Sequence, residues 1–106
     1  MWYIFPQIKG LGRSPTAQYY AIQSVDEAKA FLNDSYLGQN LIEITKALLA
    51  LETNNVMAVF GSPDNMKLKS CMTLFDYVSD THIFQDVLDK FFDGHQDQRT
   101  LRILNN

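Results

Sequence analysis

Residues 62–78 have the sequence SPDNMKLKSCMTLFDYV, which combines the clearest helix start in the chain with an unbroken apolar face. Ser62 can cap a helix with its hydroxyl, and Pro63 is tolerated at the first helical position because its missing N–H would be unpaired there. The apolar positions then recur with helical spacing at Leu68, Cys71, Met72 and Phe75, and Leu74 and Val78 widen the stripe. The interleaved residues Lys67, Lys69, Ser70 and Asp76 are polar, so one face of this helix is expected to belong to the core. This stretch predicts a central helix against which the rest of the chain packs.

Capping residues and apolar periodicity predict further helices over residues 14–22, 25–33, 35–51, 56–60, 82–93 and 98–104. Asp34 and Asp97 are interpreted as N-caps, and Gly38 is expected to cost little near the start of its helix. No stretch alternates with period two between turn signals, so little or no sheet is expected. The sequence therefore predicts an all-α fold. We expect a compact single-domain bundle of six or seven helices over residues 1–106, with an irregular aromatic N-terminal arm at residues 1–12.

Composition excludes several classes of function. A chain of 106 residues with 46% apolar and 20% charged residues is an ordinary globular domain that can fold without disulfides or metals. Its net charge is -3 and its basic residues are scattered, so the sequence shows no basic patch of the kind that binds nucleic acid. The apolar start MWYIF is too short before Pro6 for a signal sequence or a membrane span. The single Cys71 indicates a reducing compartment, so we expect a cytoplasmic protein.

No catalytic or metal-binding motif stands out. His82 and His95 are the residues that normally titrate near neutral pH, but neither has a convincing partner in the sequence. Cys71 falls on the apolar stripe, where a thiol behaves as a small hydrophobe. The aspartates Asp86, Asp89, Asp93 and Asp97 do not have the spacing of a metal cluster. Three of them, Asp86, Asp89 and Asp93, fall on one predicted helix and are typical of a solvated acidic face. We therefore expect no metal and no cofactor, and the catalytic residues, if there are any, are unknown.

One segment offers a candidate anion site. Arg13 and Ser14 precede Pro15 at a predicted helix start, where free N–H groups, a hydroxyl and a guanidinium come together. A serine N-cap beside an arginine also occurs for helix stability alone, and the sequence leaves both readings open.

Four stretches, MWYIFPQIKGLGRS, LGQNLIEITKALL, FGSPDNMKLKSCMTLF and VLDKFFDGHQDQRTL, resemble the bacterial family known as domain of unknown function 1810. Some members of that family carry the label calpastatin. The resemblance spans nearly the whole chain and implies an all-helical bacterial domain without an established activity. The calpain-inhibitor label is discounted, because that inhibitor resembles an unstructured repeat protein and this chain has a core.

The same resemblance implies a set of candidate site residues. The family's polar signature positions fall on Gln7, Arg13, Ser14, Asp64, Lys67, Ser70 and Thr73, with Trp2, Phe5 and Tyr20 as aromatic companions. Among these, the expected ligand-binding residues are Trp2, Phe5, Gln7, Arg13, Ser14, Lys67, Ser70 and Thr73. We expect them to line one cleft between the N-terminal arm and the polar edge of the central helix.

Three functions are compatible with these residues. The favoured hypothesis is a domain that binds a small anionic, nucleotide-like molecule through stacking aromatic side chains and Arg13. The segments SCMTLF and VLDKFF also resemble, faintly, parts of helical N-glycosidases that act on ADP-ribose-like compounds, which implies an enzyme. The third hypothesis is a protein-interaction module without catalysis.

The start of the chain suggests an expectation about assembly. Family members usually carry one or two helices ahead of the WxxFPQ run, whereas Met1 here directly precedes Trp2. A missing covering helix would expose Trp2, Phe5 and part of the central stripe. We therefore expect a symmetric homodimer with Trp2, Tyr3 and Phe5 at or near the contact.

Overall fold

A computed structural model describes residues 5–10, 21–55, 58–59, 61 and 64–105 of the protein. It contains five α-helices: α1 (Val25–Asn33), α2 (Leu37–Ala50), α3 (Asp64–Val78), α4 (Ile83–Phe92) and α5 (Gln98–Leu104). Within these residues no strand forms, and one isolated parallel bridge joins Ile8 to Ile22. The prediction of an all-α fold is confirmed, whereas the predicted count of six or seven helices is not.

Helix α3 is the centre of the fold, as its sequence predicted. The apolar stripe is fully buried at Leu68, Cys71, Met72, Leu74 and Phe75. The helix packs against α1, α4 and α5, so three neighbours enclose it. Burial extends beyond the apolar stripe to Ser70 and Thr73, since residues 70–75 are all buried. The middle of α3 therefore has no solvent-facing side.

The neighbouring helices complete one hydrophobic core. α4 contributes Phe84, Val87, Leu88 and Phe91, and α2 contributes Leu41, Thr45 and Leu48. The rings of Phe31, Phe75 and Phe84 form a chain across this core, with centroids 5.5 and 5.9 Å apart. Tilted ring pairs at such spacings add to the stabilisation from burial alone. In the described part of the chain, no helix is long and apolar enough to span a membrane.

Cap residues set the ends of the helices largely as predicted. The hydroxyl of Ser24 accepts a hydrogen bond from the Glu27 N–H at the start of α1. The Asp34 carboxylate accepts the Leu37 and Tyr36 N–H groups, both at 2.8 Å, and these bonds lower the pKa of that carboxyl. Because the cap engages these two donors, α2 begins at Leu37 rather than at the predicted residue 35.

Of the predicted helix over residues 56–60, Ala58 and Val59 are described and are helical. Its predicted end at Gly61 agrees with the φ of 71° at that glycine.

The N-terminal segment corrects two expectations. The predicted helix over residues 14–22 lies mostly outside the described residues, but Ile22 is not helical. Its N–H donates to the Gln7 carbonyl at 2.7 Å, and its own carbonyl accepts the Lys9 N–H at 2.8 Å. Phe5 is only 3% exposed and belongs to the core. The expected exposure of Phe5 and of the central stripe is therefore wrong, and the predicted aromatic arm over residues 1–12 is not confirmed.

Helices α1 and α2 approach very closely at Gly38. A Cβ atom added there would lie 1.9 Å from the carbonyl oxygen of Leu32 and 2.6 Å from its carbonyl carbon. Real Cβ atoms never come this close to backbone, so only glycine fits this contact. Gly38 was expected to destabilise the start of its helix only slightly, and its packing role was not predicted.

Lys90 on α4 holds the C-terminal end of α2. Its Nζ donates to the carbonyls of Leu48 at 3.2 Å and Leu49 at 3.0 Å, and to the carbonyl of Leu51. The last carbonyls of a helix have no partners within the helix and carry the negative end of its dipole. One ammonium group therefore caps α2 and ties it to α4.

Replacing Lys90 by methionine is expected to lower the free energy of unfolding by about 2 kcal/mol, because three carbonyls lose a charged donor while the apolar stem is retained. Urea denaturation followed by circular dichroism measures the loss. Lys46→Met is the matched control, since Lys46 is an exposed lysine on α2, and it should change stability by less than about 0.5 kcal/mol. Equal effects of the two variants would contradict the capping role.

Candidate functional site

The structure describes part of the predicted ligand-binding set. Phe5 is buried in the core, Gln7 is half-buried beside the bridge to Ile22, and Lys67 is half-buried on α3. Three others lie outside the described residues: Trp2, Arg13 and Ser14. Convergence of Gln7, Arg13, Lys67 and Ser70 on one cleft therefore stays a prediction.

Ser70 and Thr73, the other two predicted site residues, are brought together around Asp97. The Ser70 hydroxyl lies 3.3 Å from Oδ2 of Asp97, and the Thr73 hydroxyl accepts the Asp97 N–H at 2.9 Å. The same Oδ2 also accepts the Thr100 N–H at 3.0 Å and the Thr100 hydroxyl. Ser70, Thr73 and Thr100 are at most 5% exposed and Asp97 is 8% exposed.

This buried network fastens α5 to α3. Asp97 caps α5 as predicted, and it is buried between α5 and α3. The network meets the hydrogen-bonding needs of its hydroxyls internally, which is the usual condition of buried polar groups. Ligand contacts by Ser70 and Thr73 stay a prediction, and in this structure both hydroxyls have partners within the protein.

The structure also describes the cysteine and the two histidines considered as candidates for chemistry. Cys71 is fully buried, and burial raises the pKa of its thiol well above the usual value, so a thiolate nucleophile is disfavoured there. His82 and His95 are exposed. Within the described residues, no three His, Cys, Asp or Glu side chains are grouped to hold a metal ion.

A chain of polar side chains runs along α3 and α4. The amide of Gln96 donates to Asp76 at 3.2 Å and to Gln85 at 3.0 Å, and Gln85 in turn donates to Asp89 at 2.9 Å. Partial burial raises the pKa of the Asp76 carboxyl, although the nearby His82 and the Gln96 amide oppose the shift. These bonds hold the loop before α5 against the last turn of α3.

A cavity of about 680 Å³ lies where α1, α2 and the end of α3 meet. Its apolar floor is formed by Leu32, Ile42 and Val78, which are partly buried and pack against the core. The polar lining comes from the remaining residues: Lys29, Asn33, Tyr77, Ser79, Asp80 and Thr81. Sequence reasoning missed this site, because its lining comes from three separate segments of the chain, residues 29–33, residue 42 and residues 77–81.

The functional groups that line this cavity are available to a ligand. Among the described residues, the Lys29 ammonium, the Tyr77 hydroxyl and the Asp80 carboxylate make no hydrogen bond. Tyr77 is 47% exposed, so part of its ring is free to stack. The combination offers one cation, one carboxylate and one aromatic surface above an apolar floor.

A second cavity of about 350 Å³ lies between the N-terminal segment, the start of α1 and α5. It is lined mainly by apolar side chains, with Lys9, Gln23 and Ser24 as its polar residues. The Ser24 hydroxyl already caps α1, and the Gln23 amide donates to the Ala21 carbonyl. This cavity therefore offers a ligand fewer unengaged groups than the first.

Residues 1–104 match the family model described as protein of unknown function (DUF1810). Among solved structures, the chain is similar to the conserved hypothetical protein Rv1873 from Mycobacterium tuberculosis, with 40% sequence identity and a TM-score of 0.96. That match covers 99% of this chain and 76% of the mycobacterial chain. No curated protein matches. The similarity establishes a shared fold, and neither description states an activity.

Proposed function

The chain belongs to the DUF1810 family of proteins of unknown function, and within that family we propose that it binds a small anionic, nucleotide-like molecule. The observation that carries the proposal is the cavity between α1, α2 and the end of α3. Its volume of about 680 Å³ falls in the usual range of small-molecule sites. An apolar floor with a few unengaged polar groups is also typical of such sites.

Charge placement supports an anionic ligand in one orientation. Lys29 lies on α1, whereas Tyr77 and Val78 form the C-terminal end of α3. Unpaired carbonyls at that end carry the negative pole of the helix dipole and disfavour an anion there. The phosphate of a nucleotide would therefore lie toward Lys29, and the base would stack on the exposed ring of Tyr77.

The first test is a calorimetric titration of the protein with adenosine 5′-monophosphate, adenosine and inorganic phosphate. We expect the nucleotide to bind more tightly than either fragment. Lys29→Gln should weaken nucleotide binding about tenfold, because it removes a charge-assisted contact worth about 1.4 kcal/mol. Tyr77→Leu should weaken the binding of adenosine and of the nucleotide by similar factors, because both ligands lose a stacking surface.

Two matched variants distinguish the loss of a ligand contact from a general effect of substitution on binding. Lys46→Gln removes an exposed lysine, and Tyr36→Leu removes a tyrosine that is 72% exposed, and neither residue lines the cavity. Both should bind like the unmodified protein. Failure of all three probes to bind would contradict the proposal and favour the interaction-module alternative. Release of free adenine during the titrations would support the N-glycosidase alternative.

The cleft between the N-terminal arm and α3 remains a separate proposal for the same class of ligand. Its residues are Trp2, Phe5, Gln7, Arg13, Ser14, Lys67, Ser70 and Thr73. Arg13→Gln in the same titrations tests it, since weaker binding in that variant with normal binding in Lys29→Gln would favour the cleft. A homodimer and a cytoplasmic location also stay predictions. Burial of Phe5 within one chain gives the dimer no support at that residue.

A further inference from the structure

We infer that Asp80 makes this cavity selective for a ribonucleoside phosphate over its 2′-deoxy counterpart, an inference that rests on the proposed binding function. Asp80 lies in the loop between α3 and α4, lines the cavity and is exposed. Among the described residues that line the cavity, it is the one carboxylate.

Asp80 is one of several aspartates whose carboxylates accept no hydrogen bond within the described part of the chain, and among these it alone lines the cavity. Asp34 accepts two backbone N–H groups, Asp97 is enclosed by hydroxyls, and Asp76 and Asp89 accept glutamine amides. No described residue donates a hydrogen bond to the Asp80 side chain. Helix capping and packing therefore do not use this carboxylate.

The loop holds Asp80 from both sides. The Ser79 hydroxyl accepts the Thr81 N–H at 3.0 Å, and the Thr81 hydroxyl lies 3.5 Å from the Ile83 N–H. Such side-chain turns fix the backbone of short loops. The carboxylate is thus presented from a defined turn at the edge of the cavity, on an element distinct from that of Lys29.

The chemistry of an ionised carboxylate defines what it can contact. It only accepts hydrogen bonds, and it repels a phosphate. The two neighbouring hydroxyls of a ribose supply two donors for its two oxygens, and acidic residues serve this purpose in dinucleotide-binding folds. With the phosphate directed toward Lys29, the sugar is the part of a nucleotide that can face Asp80.

The inference predicts a preference that a titration can measure. The unmodified protein should bind adenosine 5′-monophosphate about tenfold more tightly than 2′-deoxyadenosine 5′-monophosphate, the effect of one hydrogen bond to a charged acceptor at an exposed site. Asp80→Asn should reduce this ratio to about two. Asp86→Asn is the matched control, because Asp86 is exposed on α4 and does not line the cavity, and it should retain the tenfold ratio.

The outcomes distinguish this inference from the proposed function. If neither nucleotide binds the unmodified protein, the proposed function and the inference both fail. If both nucleotides bind equally, or if the preference survives in Asp80→Asn, the cavity is a binding site and the inference alone is wrong. Inosine 5′-monophosphate serves as a third probe. If Asp80→Asn changes the ratio of the affinities for the adenosine and inosine monophosphates and leaves the ribose preference intact, then Asp80 contacts the base. That outcome overturns the inference.

Discussion

Replacing Gly38 by alanine is expected to destabilise the protein by about 3 kcal/mol or more. In an isolated helix the same change would stabilise by about 1 kcal/mol, because alanine has the higher helix propensity. Here the new Cβ would lie 1.9 Å from the Leu32 carbonyl oxygen, so α1 and α2 must separate by more than an ångström. Separation opens gaps between core side chains of both helices, and overpacked sites show losses of this size.

Urea denaturation followed by circular dichroism measures the effect. Asn40→Ala, an exposed position two residues along the same helix, serves as the matched control and should stay within about 0.5 kcal/mol of the unmodified protein. An alanine at position 38 that leaves stability unchanged or raises it would show that the helices do not approach as closely as the structure has them.

The second large effect is expected at Asp97. Asp97→Ala removes the acceptor shared by Ser70, the Thr100 N–H and the Thr100 hydroxyl. The Ser70 hydroxyl keeps the Met66 carbonyl at 3.1 Å as an acceptor, whereas the two buried Thr100 donors lose their partner. Each buried donor without a partner lowers the free energy of unfolding by about 1 to 3 kcal/mol if the surrounding structure does not rearrange. We expect a total loss of about 3 kcal/mol. Asp97→Asn keeps one acceptor oxygen, so its loss of stability should be roughly half as large.

A second N-cap in the same protein provides the comparison. Ser24 caps α1 through one bond to the Glu27 N–H, and this cap is exposed. Ser24→Ala should cost about 1 kcal/mol, the usual value for losing a cap. The difference between the losses in free energy of unfolding caused by Asp97→Ala and by Ser24→Ala measures the stability that burial and the contacts to α3 add. If the two variants lose equal stability, the network around Asp97 contributes nothing beyond capping.

Local patterns in the sequence predicted the parts of the fold that depend on neighbouring residues. The stripe from Leu68 to Phe75 follows helical spacing, and its burial could be read from that spacing alone. The caps at Ser24 and Asp97 precede apolar runs, so their roles were also local. Family membership was visible in the motifs for the same reason, since they are contiguous stretches of sequence.

Most of the errors concern contacts between residues far apart in the chain. The burial of Ser70 could not be inferred from its own helix, because its partner Asp97 lies 27 residues away. Ile22 has good helical neighbours in the sequence, yet it pairs with residues 7 and 9. The candidate cavity combines Lys29, Ile42 and residues 77–81, and no local pattern brings these positions together.

The enclosure of α3 has a consequence for how the protein is made. A ribosome releases α1, α2 and α3 before α4 and α5, so the nascent chain carries the apolar face of α3 with only the part that packs on α1 covered. Phe75 can then pack on Phe31 of α1 but has no Phe84 beside it until α4 has emerged. Transiently exposed apolar surface of this kind promotes aggregation and is what chaperones recognise. The central helix that organises the finished domain is therefore its most vulnerable segment during synthesis.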